Sequence, residues 1–283
     1  MQTLDNGILR AGILEKGAEL VSVLDAGGVE RIAQPGPLWA GQAKNLFPNV
    51  GLVKDGYITV RGRRCDALQH GFLKERTLDV VCREPDRVVF RLDADEQTRR
   101  FLPGNYRVEI GFQLIGNSVR QSFTVTDLDD RPLYFGLGSH TGFFRRGAGY
   151  LRFAPGQELV ERIRPGMRFL NGQTRPFPLP PDGRLNIDGQ LFEQGAHILE
   201  GFSEKVVTLC EERSSRQVEL DFSGFHRLTL WGLPQAGDFI CLMPWCALPD
   251  SEDSDHVFEH KPGNVCLQPG RSFRCAQTMT FTG

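Results

Sequence analysis

Hydrophobic and polar residues alternate along much of the chain, and the alternation is clearest between positions 106 and 125. The first run alternates polar residues such as Arg107 and Glu109 with apolar ones, which are Tyr106, Val108, Ile110, Phe112 and Leu114. After Gly116 and Asn117, a second run places three apolar residues on one face, namely Val119, Phe123 and Val125. Period two is that of a half-buried strand, and glycine tolerates the positive φ of a tight turn. The two runs predict a β-hairpin with a two-residue turn.

Shorter alternating runs recur elsewhere, at Arg87–Leu92, Val206–Cys210, Gln217–Phe222, Arg227–Trp231 and Cys275–Phe281. Turn-forming residues separate several of them, and 32 glycines and 17 prolines interrupt the chain. No window of about 12 residues carries the i, i+3, i+4, i+7 stripe of an amphipathic helix. The chain is therefore predicted to be all-β, an antiparallel sandwich or barrel. The proline-rich segment 176–183 has strand-like patterning on both sides, so we expect a surface loop within a single domain, residues 1–283.

Composition excludes some partners. The chain has 283 residues, 40% of them hydrophobic, and a net charge of −2. Without a basic excess, neither nucleic acid nor an anionic membrane surface is an expected partner. No apolar run approaches the roughly 20 residues of a membrane-spanning helix. The start of the chain has no secretion signal, and its seven cysteines include no Cys-x-x-Cys pair, so we expect reduced thiols and a cytoplasmic protein.

One short motif resembles a metal site. Residues 256–260 read His-Val-Phe-Glu-His, the H-x-x-E-H order of some zinc peptidases. That chemistry needs a helix to bring both histidines to one face, whereas Pro262 and Gly263 follow almost at once. We therefore predict no metal site here, but an exposed loop that leads into a strand.

Two histidines stand beside glycine, with an aromatic residue just beyond. His70 lies in Gln-His-Gly-Phe, and His140 lies in Gly-Ser-His-Thr-Gly-Phe. Glycine allows a ligand to approach the backbone, and an aromatic ring can form a wall for a sugar. Histidine can donate a hydrogen bond or a proton near neutral pH. The two segments together indicate a binding or catalytic site, although a single buried histidine is usually structural.

These segments resemble the aldose 1-epimerase (mutarotase) family, and most closely its bacterial branch of uncertain substrate. The stretches that match in family order are Lys44–Gly51, Gln69–Arg76, Tyr134–Phe143 and Phe239–Cys246. The resemblance implies one large antiparallel β-supersandwich with a sugar bound in an open cleft on one sheet. It also implies interconversion of the α and β anomers of an aldose by acid–base ring opening, without a cofactor.

Carried over to this chain, the resemblance makes His140 the general acid that protonates the ring oxygen. His70 would hold the ring-oxygen side of the sugar, and Lys74 and Arg76 would contact its hydroxyls or a charged substituent. The segment with the Pro-Trp pair would add Met243 and Trp245 to the sugar site. A small-molecule sugar is the expected partner, and no oligomeric state is predicted.

The chain departs from the family pattern at three positions. Met243 stands where the family has its glutamate base, Leu52 where it has a substrate-binding arginine, and Gly195 near an expected aspartate. Methionine cannot accept a proton, and one positioned acid or base contributes about 10²–10⁴ in rate. The carboxylates in the loop that follows, Asp250, Glu252, Asp253 and Glu259, are the candidates to replace the base. Two hypotheses remain open: an anomerising enzyme, or a sugar-binding or regulatory protein on the same scaffold that has lost efficient catalysis.

Overall fold

The computed structural model describes residues 1–37, 39–145, 147–233 and 236–283. These residues form twenty-three β-strands and five single-turn 3₁₀ helices. The strands are β1 Gln2–Asp5, β2 Arg10–Leu14, β3 Glu19–Leu24, β4 Ala43–Leu46, β5 Tyr57–Val60, β6 Arg63–Asp66, β7 Asp79–Arg83, β8 Arg87–Asp93, β9 Tyr106–Ile115, β10 Ser118–Asp127, β11 Leu133–Phe135, β12 Gly138–Phe144, β13 Gly149–Arg152, β14 Val160–Arg162, β15 Thr174–Pro176, β16 Arg184–Asn186, β17 His197–Glu200, β18 Val206–Glu211, β19 Gln217–Asp221, β20 Arg227–Leu233, β21 Ala236–Trp245, β22 Val265–Leu267 and β23 Ser272–Thr282. The 3₁₀ turns are Lys54–Gly56, Leu73–Glu75, Thr98–Arg100, Pro165–Met167 and Phe258–His260.

Two large sheets contain most of these strands. One has nine strands in the order β16-β13-β18-β19-β23-β10-β9-β8-β7, and the other has seven in the order β15-β14-β17-β20-β21-β12-β4. Every pairing within them is antiparallel. The predicted hairpin is confirmed, because β9 and β10 pair along their length and Gly116 has a φ of 56° in the turn. The all-β prediction is confirmed with it.

The two sheets bury their apolar faces against each other. Ile110 and Phe112 of β9 belong to the same buried cluster as Leu230 of β20 and Leu242 of β21. Alternation along β9 explains why: its apolar residues from Tyr106 to Leu114 are buried, while the polar ones between them are only half-buried. The architecture is therefore a sandwich, the first of the two all-β alternatives.

A chain of buried polar side chains crosses the interior between the two sheets. Ser139 Oγ donates to Gln277 Oε1 at 3.1 Å, Gln277 Nε2 donates to Gln121 Oε1 at 2.6 Å, and Gln121 Nε2 donates to Asn45 Oδ1 at 2.7 Å. Asn45 then donates to two backbone carbonyls of the loop between β2 and β3. Each amide has a partner, as buried polar groups require. This series of hydrogen bonds holds β4 and β12 in place.

Replacing Gln277 by leucine should destabilise the fold by about 2–4 kcal/mol, because the buried amide of Gln121 and the hydroxyl of Ser139 would lose their partners. Urea unfolding followed by tryptophan fluorescence measures this change. The exposed side chain of Gln190 supplies the control, since Gln190→Leu should stay within about 0.5 kcal/mol of the wild type. Equal urea midpoints for the two variants would show that the buried hydrogen bonds of Gln277 contribute nothing to stability.

The proline-rich segment and the H-x-x-E-H segment both lie within the described residues. The proline-rich segment connects β15 of one large sheet to β16 of the other, and its Phe177 packs in the main core. The H-x-x-E-H segment has only one 3₁₀ turn before β22, and its histidines have separate partners. His256 stacks on Tyr57, whereas His260 bonds to Asp255. Among the described residues, no helix has the length and apolar character needed to cross a membrane.

Candidate active site

A cleft of about 690 Å³ opens on the outer face of the seven-stranded sheet. Lys44 of β4 pairs with His140 of β12, and the register of β12 with β21 places Met243 opposite His140. Ile198 of β17 lies further along the same row. Directly opposed residues of antiparallel strands point to the same face. All four side chains line the cleft, so strand register alone places them together.

His70 reaches the cleft from a loop beside the sheet. Its backbone has a φ of 64°, in the left-handed region, and two hydrogen bonds with Gly51 fix it there. The amide of His70 donates to the carbonyl of Gly51 at 3.0 Å, and the amide of Gly51 donates to Nδ1 of His70 at 3.0 Å. The next residue, Gly71, packs so closely on the carbonyl of Phe47 that a Cβ atom would not fit. The glycine beside His70 is therefore a packing requirement.

The two imidazoles meet in this cleft. The ring centroids of His70 and His140 are 5.3 Å apart, with the planes nearly perpendicular at 86°. Trp39 stacks on His140 at 5.6 Å, and Trp231 approaches the same ring edge-on at 5.8 Å. The ring centroids of Trp245 and His70 are 6.0 Å apart. Aromatic rings thus surround a pair of polar groups, which suits a ligand with an apolar face and a hydroxylated rim.

Trp39 was missed in the sequence analysis, although one signal for it was present. Gly142, two residues after His140, lies under the tryptophan, and a Cβ there would stand 2.5 Å from the Trp39 ring. Gly41 has a similar contact with the same ring. Glycines near a candidate histidine can therefore mark the place where a distant aromatic residue packs.

Both histidines are neutral at pH 7. Burial lowers the pKa of His140 to about 4, and the charge of Lys44 adds to the effect. Burial also lowers the pKa of His70 well below its usual value, with contributions from His140, Lys74 and Lys44. Because Nδ1 of His70 accepts a hydrogen bond from Gly51, its proton must be on Nε2. Nδ1 of His140 is buried without a hydrogen-bond partner in the described structure, which leaves Nε2 as the nitrogen that a ligand can reach.

Met243, which the resemblance puts in place of the family's glutamate base, has apolar surroundings. Met243 is 2% exposed and packs in a second apolar cluster beneath the cleft, together with Leu46, Trp245 and Ile198. Leu52 and Gly195, the other two departures, also line the cleft. The described lining contains one carboxylate, that of Glu75. Lys16 lies 3.1 Å from it and holds its pKa below the usual range.

The four carboxylates expected to replace the base do not line the cleft, as far as the described lining extends. Asp250 forms a buried ion pair with Lys261 at 2.6 Å and accepts the backbone amide of Lys54 at 2.8 Å. Glu259 accepts the backbone amide of Arg61. Glu252 and Asp253 belong to the same outer loop as Asp250. The structure gives no support to a base from this loop.

The two basic residues of the matching segment go to different places. Lys74 lines the cleft, and its Nζ donates to the carbonyls of Gln69 at 2.9 Å and Gly71 at 2.7 Å. Arg76 points elsewhere, since its guanidinium binds Asp95 and Gln97 and is not part of the described lining. Three other basic residues that the sequence analysis did not single out line the cleft, namely Lys44, Arg164 and Arg168.

The fold and the cleft define the class, an antiparallel β-sandwich of the galactose mutarotase-like type. The family model described as aldose 1-epimerase matches residues 1–274. The chain belongs to the aldose 1-epimerase family. Its recognition from four short stretches is confirmed.

Three relatives illustrate the similarity. The galactose mutarotase related enzyme from Lactobacillus acidophilus has a TM-score of 0.93 and 25% identity, over 100% of this chain and 97% of that one. A galactose mutarotase-like protein from Lactobacillus casei has a TM-score of 0.92 and 26% identity, with both chains fully covered. The plasmid-encoded protein LacX of Lactococcus lactis is 26% identical over 274 residues, 92% of each chain.

Proposed function

We propose that this protein interconverts the α and β anomers of an aldose bound in the cleft. The observation that carries the proposal is the pair of imidazoles, with ring centroids 5.3 Å apart, in an aromatic cleft of an aldose 1-epimerase family member. Ring opening needs one proton removed from the anomeric hydroxyl O1 and one delivered to the ring oxygen O5. Both oxygens are bonded to C1, so a single group beside C1 can serve both.

His140 is the group that serves both oxygens. In the neutral ring of His140, Nε2 takes the proton from O1. O1 then becomes the aldehyde oxygen as the C1–O5 bond breaks. The resulting imidazolium gives the same proton to O5 and returns to its neutral form. After rotation about the C1–C2 bond, the reverse steps close the other anomer. Because His140 ends in its starting form, no second base is needed and the protons balance with methionine at position 243.

His70 holds the ring oxygen during these transfers. The hydrogen bond from Gly51 fixes the proton of His70 on Nε2, which makes this edge a hydrogen-bond donor. A donor aimed at O5 stabilises the negative charge that develops when the C1–O5 bond breaks. His70 therefore acts as the oriented donor, and His140 moves the proton.

The pH dependence tests the state of His140. Because the neutral ring starts the reaction, the protein-catalysed rate should be constant from pH 8 to pH 6. It should fall to half near the pKa of about 4 and by about tenfold for each further pH unit. Exchange NMR corrected for the buffer rate measures this profile. A resting imidazolium acid would instead give a rate that rises as the pH falls from 7 toward 4. Lys44 is the charged neighbour that lowers the pKa of His140, and His70 and Lys74 line the same cleft.

A second function is supported by one observation, the buried apolar side chain of Met243 opposite His140, where the resemblance leads us to expect a glutamate base. It is binding of a sugar without catalysis, as in a sensor or carrier. Calorimetric binding of an aldose with no acceleration of anomer exchange would identify this function.

We also propose a reducing compartment, the cytoplasm, as the place of action. All seven cysteines are free, and five of them are buried. Buried thiols without disulfides are typical of proteins in reducing compartments.

A further inference from the structure

Four basic side chains line the cleft: Lys44, Lys74, Arg164 and Arg168. The one acidic residue of the described lining, Glu75, is already paired with Lys16. Within the described residues, none of the four basic groups has a carboxylate within 4.0 Å, although many arginines elsewhere on the surface are paired. The protein as a whole has a net charge of −2, so the positive charge of the cleft is a local feature.

Lys44 lies next to the reacting groups. It is directly opposite His140 in the register of β4 and β12, where Cβ atoms are about 4.5–5.5 Å apart. Its charge contributes to lowering the pKa of His140, His70 and Lys74. The cleft therefore holds like charges close together, and the nearby carboxylate of the described lining, that of Glu75, is paired with Lys16. An anionic ligand would remove this repulsion, whereas a neutral sugar would leave it in place.

Two of the four groups are fixed in position by backbone carbonyls. Two hydrogen bonds hold the Nζ of Lys74, which leaves one of its three donors free for a ligand. The guanidinium of Arg164 donates to the carbonyls of Ala196 and Met167. Groups that are already oriented lose less entropy on binding. Arg168 is exposed on the rim, where its guanidinium lies over the ring of Phe169.

We propose that the natural aldose carries an anionic substituent at C6, held by Lys44 and Lys74 with Arg164 and Arg168 around it. Guanidinium and ammonium groups are the side chains that bind phosphate and carboxylate. Anomer exchange requires a free hydroxyl at C1, which excludes a sugar 1-phosphate. C6 is attached to C5, the neighbour of the ring oxygen, so a group on C6 can reach Lys44 while O5 lies at His140. A hexose 6-phosphate and a hexuronate both meet these conditions.

This inference rests on the proposed function, and binding calorimetry tests it separately from catalysis. The probes are glucose and galactose, their 6-phosphates, the two uronates, and inorganic phosphate alone. We expect the preferred anionic sugar to bind at least 10-fold more tightly than the neutral hexose at low salt. This advantage should shrink in 0.5 M NaCl, because salt screens the cations. A preference for the 6-phosphate identifies phosphate as the anion, and a preference for the uronate identifies carboxylate.

The variants Lys44→Gln and Arg168→Gln should each reduce the ratio of anionic to neutral affinity about 10-fold. Arg10→Gln is the matched control, since it removes the same charge from an exposed strand position outside the described lining and should leave the ratio unchanged. Equal binding of neutral and anionic sugars overturns the inference, and so does inorganic phosphate that binds as tightly as the anionic sugar. If neutral hexoses are anomerised without any preference for anions, the inference fails and the proposed function stands. If an anionic sugar binds tightly but its anomer exchange is not accelerated, the inference stands and the proposed function fails.

Discussion

Replacing His140 by glutamine should lower the rate of protein-catalysed anomer exchange by about 10²–10⁴-fold, the contribution of one positioned acid–base group. Glutamine keeps a polar side chain of similar reach beside Trp39 but cannot take up and release a proton. The effect should appear in kcat, because the proton moves only during the reaction. Exchange NMR at saturating sugar, with calorimetry to confirm binding, measures it.

His70→Gln is the informative companion variant. Glutamine at position 70 can still donate a hydrogen bond to O5, so we expect a smaller loss, about 10-fold. If the two variants lost the same large factor, the division of labour between the imidazoles would be wrong. If neither lost activity, the catalytic centre would lie elsewhere.

Introducing a carboxylate by Met243→Glu should raise the exchange rate by about 10–10²-fold. The register places this side chain opposite His140, in the same row as Lys44. A carboxylate there can take the proton from O1 and favour the imidazolium form of His140, so acid and base would become separate groups. The gain should be measured at saturating sugar, because burying a carboxylate among apolar residues also lowers stability.

Met243→Gln is the matched control for this variant. It adds polarity of similar size at the same place, but it supplies no base, so no gain is expected. An M243E protein that binds sugar normally and shows no gain would contradict the view that the absent carboxylate limits the rate.

Local pattern predicted the strands well, because alternation reports which face of a strand is buried. The hairpin of β9 and β10 followed from its own residues and its Gly-Asn turn. The convergence of His70 and His140 did not follow from any local pattern, since it depends on how a loop packs against a distant sheet. The resemblance to a family supplied that link, through short stretches far apart in the chain.

The charge of the cleft could not be predicted from the same stretches. Lys44 belongs to a quoted stretch, but only the pairing of β4 with β12 shows that it faces His140. Arg76 was expected to contact the sugar, yet Asp95 and Gln97 bind it outside the described lining. Sequence position does not say which neighbour will capture a long side chain. Arg164 lies next to a short 3₁₀ turn that carries no signal of its own.

The most direct measurement is two-dimensional exchange NMR on hexoses, hexose 6-phosphates and hexuronates, with wild-type protein beside H140Q. Cross-peaks between the α and β anomeric protons should grow with the concentration of the wild type and disappear with the variant. If the wild type left every sugar at the buffer rate of exchange, including the sugars that calorimetry shows to bind, His140 would not be moving the proton.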